Sequence, residues 1–129
     1  MATAQTITAG GRPISLQADV MVPMRDGVEL AIDVYSAPQD KPRPVLLAMS
    51  PYGKDYTHVI ADLRGSGSSG GVMVGNYNAG GVPLGQDAYD LIEWIAEQPW
   101  CDGNIGMVGV SYFASMQVYA ASERPPHLK

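Results

Sequence analysis

One segment of the chain carries the residue types for covalent chemistry: Ile105-Gly106-Met107-Val108-Gly109-Val110-Ser111-Tyr112-Phe113-Ala114. A short apolar run ends at a serine, and a helical pattern begins at once. A strand running through a serine into a helix is the arrangement of a nucleophile elbow, whose tight turn lifts the serine Oγ clear of the sheet. Strand and helix backbones nearly touch at such a turn, so its flanks must be small. Gly109, two before the serine, and Ala114, three after it, meet that need, while Phe113 stands where G-x-S-x-G has glycine. The new helix aims its first N–H groups and the positive end of its dipole at the serine. The backbone N–H of Tyr112 is thereby a candidate oxyanion donor. A plainer reading competes: serine is a favoured helix N-cap, and on this segment alone the cap is the simpler explanation.

A serine hydroxyl is a poor nucleophile until a base takes its proton. After Ser111 the chain offers only Glu123 as a carboxylate and His127 as an imidazole. Both lie at the end of a helix of about 11 residues, which at ~1.5 Å per residue ends roughly 16 Å from the serine. His127 is therefore read as a surface loop residue. His58, ahead of the serine at the start of an apolar run, is read as a packing residue. Cys101 precedes Asp-Gly with no basic neighbour and is read as a structural thiol. No His/Asp/Glu cluster has ligand spacing, so neither metal nor cofactor is expected. Gly65-Ser-Gly-Ser-Ser-Gly70 satisfies G-x-G-x-x-G after an apolar run. The helix that would complete a phosphate cradle does not follow, so this loop is read as the rim of a site.

The elements that must position these groups alternate. Ala18–Val22 and Val28–Tyr35 are β-rich runs joined through Asp26-Gly27, a hairpin signal. Val28, Leu30, Ile32 and Val34 share one face, with Glu29 and Asp33 on the other. The hairpin is expected at the sheet edge, and residues 1–17 as a polar lead-in arm. Val45–Met49, His58–Leu63 and Ile105–Val108 are short apolar runs suited to buried strands. Gln86–Gln98 is a helix by the spacing of Ala88, Leu91, Ile92, Ile95 and Ala96, stopped by Pro99. Asp87 and Asp90 are read as dipole and capping residues at its start. Glu93 and Glu97 form its solvated face. Trp94 and Trp100 are read as packing residues, with Trp100 also a candidate lining for an acyl pocket. Trp100–Gly103 turns the chain, and Tyr112–Ser122 is the second helix. Strands alternating with helices predict an α/β fold with a mostly parallel sheet behind an N-terminal antiparallel hairpin.

The chain has 129 residues and a net charge of −5, from 8 basic and 13 acidic side chains. It has no basic footprint for nucleic acid and no attraction to anionic lipid. A single cysteine excludes an internal disulfide. No apolar run reaches the length of a membrane span, and residues 1–16 carry no signal-peptide pattern, so a cytoplasmic location is expected.

Four segments, in order, carry a resemblance to the cocaine esterase and X-Pro dipeptidyl-peptidase group of α/β-hydrolases. They are Val22-Pro-Met-Arg-Asp-Gly-Val-Glu-Leu-Ala, Ser50-Pro-Tyr-Gly-Lys, Asp62-Leu-Arg-Gly-Ser-Gly-Ser-Ser-Gly-Gly, and Asp87-Ala-Tyr-Asp-Leu-Ile-Glu-Trp-Ile followed by Gln98-Pro-Trp-Cys-Asp-Gly-Asn-Ile-Gly and Gly109-Val-Ser-Tyr-Phe-Ala. G-x-S-Y, a variable residue and then Gly or Ala is common in that group, so Phe113-Ala114 is normal there. The resemblance covers about Val20 to Lys129 and tips Ser111 toward the nucleophile.

The resemblance implies an incomplete α/β-hydrolase domain over residues 18–129. It implies Ser111 as the nucleophile that forms an acyl-enzyme, and the Tyr52 hydroxyl as second oxyanion donor beside the Tyr112 N–H. The substrate would be a small ester or amide, or a short peptide. The acid and base would lie beyond Lys129. A non-catalytic remnant or sheet-edge binding module is the alternative, pairing with a second copy or a complementing chain. Between Met49 and His58 only a short link remains, where parallel strands need about a dozen residues and the group has a helix. Either a segment is deleted there or the two strands pair differently.

Overall fold

The computed structural model of the chain describes residues 4–9, 11–37, 41–50, 59–73 and 81–129. Six strands and two helices are built from them: β1 (Ala4–Ala9), β2 (Arg12–Pro23), β3 (Glu29–Ser36), β4 (Arg43–Ser50), β5 (Val59–Asp62), α1 (Gly81–Ala96), β6 (Cys101–Met107) and α2 (Tyr112–Glu123). The strands form one sheet in the order β1-β2-β3-β5-β4-β6. No helix among the described residues is long and apolar enough to cross a membrane.

The expected α/β layering is present, but the sheet is mixed. β1, β2, β3 and β5 pair antiparallel in succession, while β5, β4 and β6 pair parallel. Five of the six strands precede α1 in the chain. The expected lead-in arm forms a hairpin: Ala9 faces Arg12 across residues 10 and 11, with Gly11 at φ 75°. Thr6-Ile7-Thr8 and Ile14 are β-branched, and a Gly-Gly pair suits a two-residue hairpin turn. The β2–β3 hairpin forms as the Asp26-Gly27 signal predicts, with Gly27 at φ 83° and its N–H on the Met24 carbonyl (2.9 Å). It is not at the edge, because β1 lies outside it and β5 pairs with β3. Both edges of β3 are therefore paired, and Leu30 to Val34, whose side chains alternate between its two faces, are all buried. Asp33, expected on a solvated face, is buried and accepts the Asp19 N–H (2.9 Å). Asp19 sits at φ 52° where the β2 register shifts. The carboxylate thus satisfies a backbone donor that the bulge takes out of the ladder.

β4 and β5 are adjacent and parallel despite the short link. Leu47 stands level with Val59 and Ser50 with Asp62. The return path is only about 10 Å at ~3.3 Å per residue, and the link of residues 51–58 can reach roughly 26 Å. The two strands overlap by four residue pairs, Leu47 to Ser50 against Val59 to Asp62.

α1 begins at Gly81, five residues before the expected start. Pro83 falls in its first turn, where a missing N–H removes no intrahelical bond. Leu84, Ala88, Leu91, Ile92 and Ile95 are buried on one side of α1, against a core that includes Leu47, Met49, Ile105 and Met116. β6 begins at Cys101, so the expected turn over 100–103 is largely strand; Arg43 pairs with Cys101.

Candidate active site

β6 ends at Met107, and the Val108 N–H still reaches the Leu47 carbonyl (3.1 Å). The chain then turns sharply. Gly109 has φ 147°, Ser111 has φ 61° and ψ −123°, and Tyr112 opens α2. Ser111's angles are those of the first central residue of a type II′ turn, a place dominated by glycine. A non-glycine residue held there stores strain that the surrounding structure must over-determine.

The backbone of Ser111 behaves as an N-cap, its carbonyl accepting from Ala114 N–H (2.9 Å) and Ser115 N–H (3.1 Å). Its side chain makes no capping bond. The reading of Ser111 as a capping hydroxyl therefore fails at the oxygen that would have to cap. Ser111 is exposed. Gln117 Nε2 donates to the Gly109 carbonyl (3.3 Å), tying the turn to the second turn of α2.

The departure from G-x-S-x-G at Phe113 has a geometric explanation. A Cβ on Gly109 would lie 2.1 Å from the Phe113 Cβ. The close approach that the motif requires is provided by the bare Cα of Gly109 alone, which leaves position 113 able to carry a side chain. The helix that follows ends at Arg124 in the left-handed conformation (φ 56°).

Of the residues assigned a role from sequence, Ser111 and Tyr112 stand side by side at this corner. Tyr52 and His58 lie outside the described residues. His127 is a half-exposed residue of the C-terminal segment, with Nδ1 2.8 Å from Glu93 Oε2 and its N–H 3.3 Å from Glu93 Oε1. Glu93 is thus a tether rather than part of a solvated face, whereas Glu97 is exposed. Trp100 packs on the core and lines a cavity of about 100 Å³ with Val34, Tyr35, Arg43 and Val59. Arg43 and Val59 open their strands, so this cavity is at the opposite end of the sheet from Ser111, and Trp100 lines no pocket beside that serine. Cys101 is buried, and burial pushes its thiol above the ordinary range, so the thiolate is disfavoured. No cluster of three or more metal-ligating side chains occurs among the described residues.

The loop after β5 holds what sequence reasoning missed. Arg64 is buried and grips Asp87 of α1 with two donors: Nε to Oδ2 at 2.6 Å, and Nη2 to Oδ1. Its Nη1 donates to Asp26 Oδ2 (2.8 Å) in the β2–β3 turn. Nearby, Arg25 makes the same kind of fork on Asp90 (2.6–3.0 Å) and lies over the Tyr89 ring. Asp87 and Asp90 are therefore ion-pair partners in the second and third turns of α1, not capping residues; the earlier helix start puts them too deep to cap. Two carboxylates hold the Arg64 guanidinium firmly charged. Burial pulls the Asp87 carboxyl upward and the guanidinium pulls it back.

The glycines of this loop serve the same lock. A Cβ on Gly67 would strike the Asp62 carboxylate at 2.0 Å, and Asp62 Oδ2 accepts the Ser68 N–H (2.9 Å). Ser69 Oγ accepts from Ala31 N–H and donates to the Asp62 carbonyl, both at 2.8 Å. The G-x-G-x-x-G stretch folds onto its own protein rather than around a phosphate. A signal for this was present: Asp87 falls on the apolar stripe of α1 with Leu84, Ala88 and Leu91, and a carboxylate there demands a cation.

Comparison with known proteins places this arrangement. Residues 26–129 match the family model of the X-Pro dipeptidyl-peptidase (S15 family). The cocaine esterase of Rhodococcus sp. is 43% identical over 126 residues, covering 83% of this chain and 21% of that protein. A CocE/NonD family hydrolase from Staphylococcus aureus superposes with a TM-score of 0.83 at 30% identity, over 100% of this chain and 30% of that one. An α-amino acid ester hydrolase superposes with a TM-score of 0.79 at 27% identity, over 95% and 25%. The chain spans about a fifth of the length of the curated relatives it matches. With a family model covering most of its length and a hydrolase fold that superposes throughout, the chain belongs to the X-Pro dipeptidyl-peptidase (S15) family and has a partial α/β-hydrolase fold of the CocE/NonD type.

Proposed function

We propose that this chain is the nucleophile-bearing part of a serine hydrolase that cleaves ester or amide bonds through an acyl-enzyme. Ser111 Oγ attacks the carbonyl carbon, the C–O or C–N bond of the collapsing tetrahedral adduct breaks, and the leaving group departs with a proton. The Tyr112 N–H, first in α2, and the Tyr52 hydroxyl stabilise the oxyanion. The base that removes the Ser111 proton, and the acid that orients it, come from outside these 129 residues. His127, beyond the far end of α2, is committed to Glu93 of α1, so it does not serve Ser111.

The observation that carries this reading is the Ser111 backbone. An exposed serine with φ 61°, no capping bond and a glycine-like conformation is held in strain without a structural return. The supporting comparison is the family's hydrolase character.

The test is acylation by a p-nitrophenyl ester, followed by intact-mass and peptide analysis. One acyl group on the peptide containing Ser111 is expected, with turnover several powers of ten below a complete hydrolase because the base is lacking. Ser111→Ala abolishes the adduct. Label elsewhere, or label that survives Ser111→Ala, refutes the assignment.

A further inference from the structure

We infer that His127 and Glu93 form a second reactive site, independent of Ser111: the His127 Nε2 takes acyl groups from activated aryl esters and passes them to water. The inference stands apart from the serine reading, and its assay is run with the Ser111 hydroxyl removed.

Glu93 Oε2 lies 2.8 Å from His127 Nδ1. An ionised carboxylate only accepts, so Nδ1 carries the proton of the neutral ring and Nε2 keeps the lone pair. Nε2 makes no hydrogen bond among the described residues and is not buried. The His127 side chain is 42% exposed. The neutral ring thus offers solvent a nitrogen lone pair in a fixed tautomer, and a carboxylate on the opposite N–H raises the basicity of that nitrogen. The ring is held as well as polarised. Glu93 Oε1 accepts the His127 backbone N–H (3.3 Å), and the His127 carbonyl accepts the Ile105 N–H (3.0 Å). Both main-chain groups are therefore tied, one to α1 and one to β6. Pro125 and Pro126 restrict the backbone just before them. A Cβ on Gly103 would come 3.6 Å from the His127 Cδ2, so the ring passes close to a residue without a side chain.

The substrate class follows from the leaving group. Nε2 attacks the carbonyl carbon, and the tetrahedral adduct collapses by expelling whichever group leaves more readily. An alkoxide or an amide anion leaves less readily than imidazole, so alkyl esters and amides return to starting material. A nitrophenolate leaves more readily: the C–O bond breaks with its electron pair, and the acyl group stays on Nε2. The ring then carries a positive charge beside the Glu93 carboxylate, which stabilises it. Water adds to the acyl carbon and the C–N bond breaks. The carboxylic acid and a proton go to solvent, and the neutral ring with its Nδ1–H is restored. Water clears the acyl-imidazole, so this site turns over and retains no label through digestion.

The test follows p-nitrophenolate release from excess p-nitrophenyl acetate at pH 8 by the 129-residue chain carrying Ser111→Ala. Steady release that outlasts acylation of the chain's amines is expected. His127→Gln in that background should lower the steady rate at least about fivefold. His58→Gln, which removes the other imidazole of the chain, should leave it unchanged. Glu93→Gln keeps an acceptor for Nδ1–H but not the charge, and should lower the rate about twofold to fivefold with an unchanged circular dichroism spectrum. Ethyl acetate should not be hydrolysed. If His127→Gln disturbs the fold, carbethoxylation takes its place: diethyl pyrocarbonate should modify His127 and stop the release, and hydroxylamine should reverse both. A rate indifferent to His127→Gln or to carbethoxylation, an equal loss in His58→Gln, or a rate indifferent to Glu93→Gln would overturn the inference. His127-dependent release in a chain whose Ser111 forms no adduct leaves this site standing and counts against the serine reading alone.

Discussion

Two chain reversals follow parallel strands at the same end of this sheet, and they are built on opposite principles. The one after β5 is tied by side chains as well as by backbone. Asp62, Arg64 and Asp87 are buried, Ser69 bridges two backbone groups, and Gly70 N–H returns to the Glu29 carbonyl (2.8 Å). The one after β6 exposes its polar side chain and leaves it without a cap. It holds a non-glycine residue in a glycine conformation and is fastened to α2 chiefly through backbone bonds and Gln117. One corner spends its polar groups on locking the hairpin turn to α1. The other keeps a hydroxyl unoccupied at a cost in backbone strain. Such contrast within one sheet end separates a scaffold corner from the corner proposed to carry the nucleophile.

The contrast breaks most visibly at Arg64. Removing one partner of a buried ion pair typically costs ~3–5 kcal/mol, because the other charge is left unpaired. Arg64→Leu is expected near the lower end of that range, since Asp87 can escape by taking up a proton. Burial already draws that carboxyl upward. The sign then follows: with a folded-state pKa above the unfolded value, the variant binds more protons folded, so its stability is best in acid and falls as pH rises through the folded pKa. Urea unfolding at pH 5 and pH 8 should show the larger loss at pH 8. An equal loss at both would mean that Asp87 stays ionised and has found another cation.

The second test separates geometry from identity at the Ser111 corner. Gly109→Ala places a methyl 2.1 Å from the Phe113 Cβ and forces alanine to φ 147°. Strain and clash together should cost about 2–3 kcal/mol. Phe113→Ala in that background should recover little, because the nearest atom is the Cβ that alanine retains. Phe113→Gly should recover more, less about 1 kcal/mol for glycine in a helix. If Phe113→Ala rescues fully, the contact is with the ring, and the account of why position 113 tolerates a side chain is wrong.

These two corners were not equally legible in the sequence. The strand–serine–helix junction could be read because its signal is local: an apolar run, a glycine and a helical pattern within ten residues. The hairpin at Asp26-Gly27 and the apolar stripe of α1 were legible for the same reason. The Arg64 lock was not, because its partners lie 38 residues before it and 23 after it along the chain. Asp87 reads as a capping residue only if α1 starts at Gln86; it starts at Gly81, and the glycine-rich sequence ahead of Gly81 carries no start signal. The β1–β2 hairpin was missed for a different reason. β1 has only six residues, and it and the part of β2 that pairs with it are mostly polar, so alternation is weak, and Ile7 and Ile14 alone do not announce a sheet.

The smallest effect bears most directly on whether the Ser111 corner is strained. At φ 61° and ψ −123° Ser111 pays for a conformation that glycine adopts without steric cost. Relief of that strain and the greater freedom of glycine in the unfolded chain oppose one another, and an incompatible φ outweighs the entropy. Ser111→Gly is therefore expected to stabilise the chain by up to about 1 kcal/mol, read as a higher urea midpoint with an unchanged slope. Ser111→Ala, which keeps the Cβ, should be near neutral, because the missing hydroxyl caps nothing. The pair of variants thus removes the same oxygen and differs only in the backbone. A Ser111→Gly protein less stable than Ser111→Ala would show that the serine sits at ease in its turn, and the corner after β6 would then differ from the one after β5 in exposure but not in stored strain.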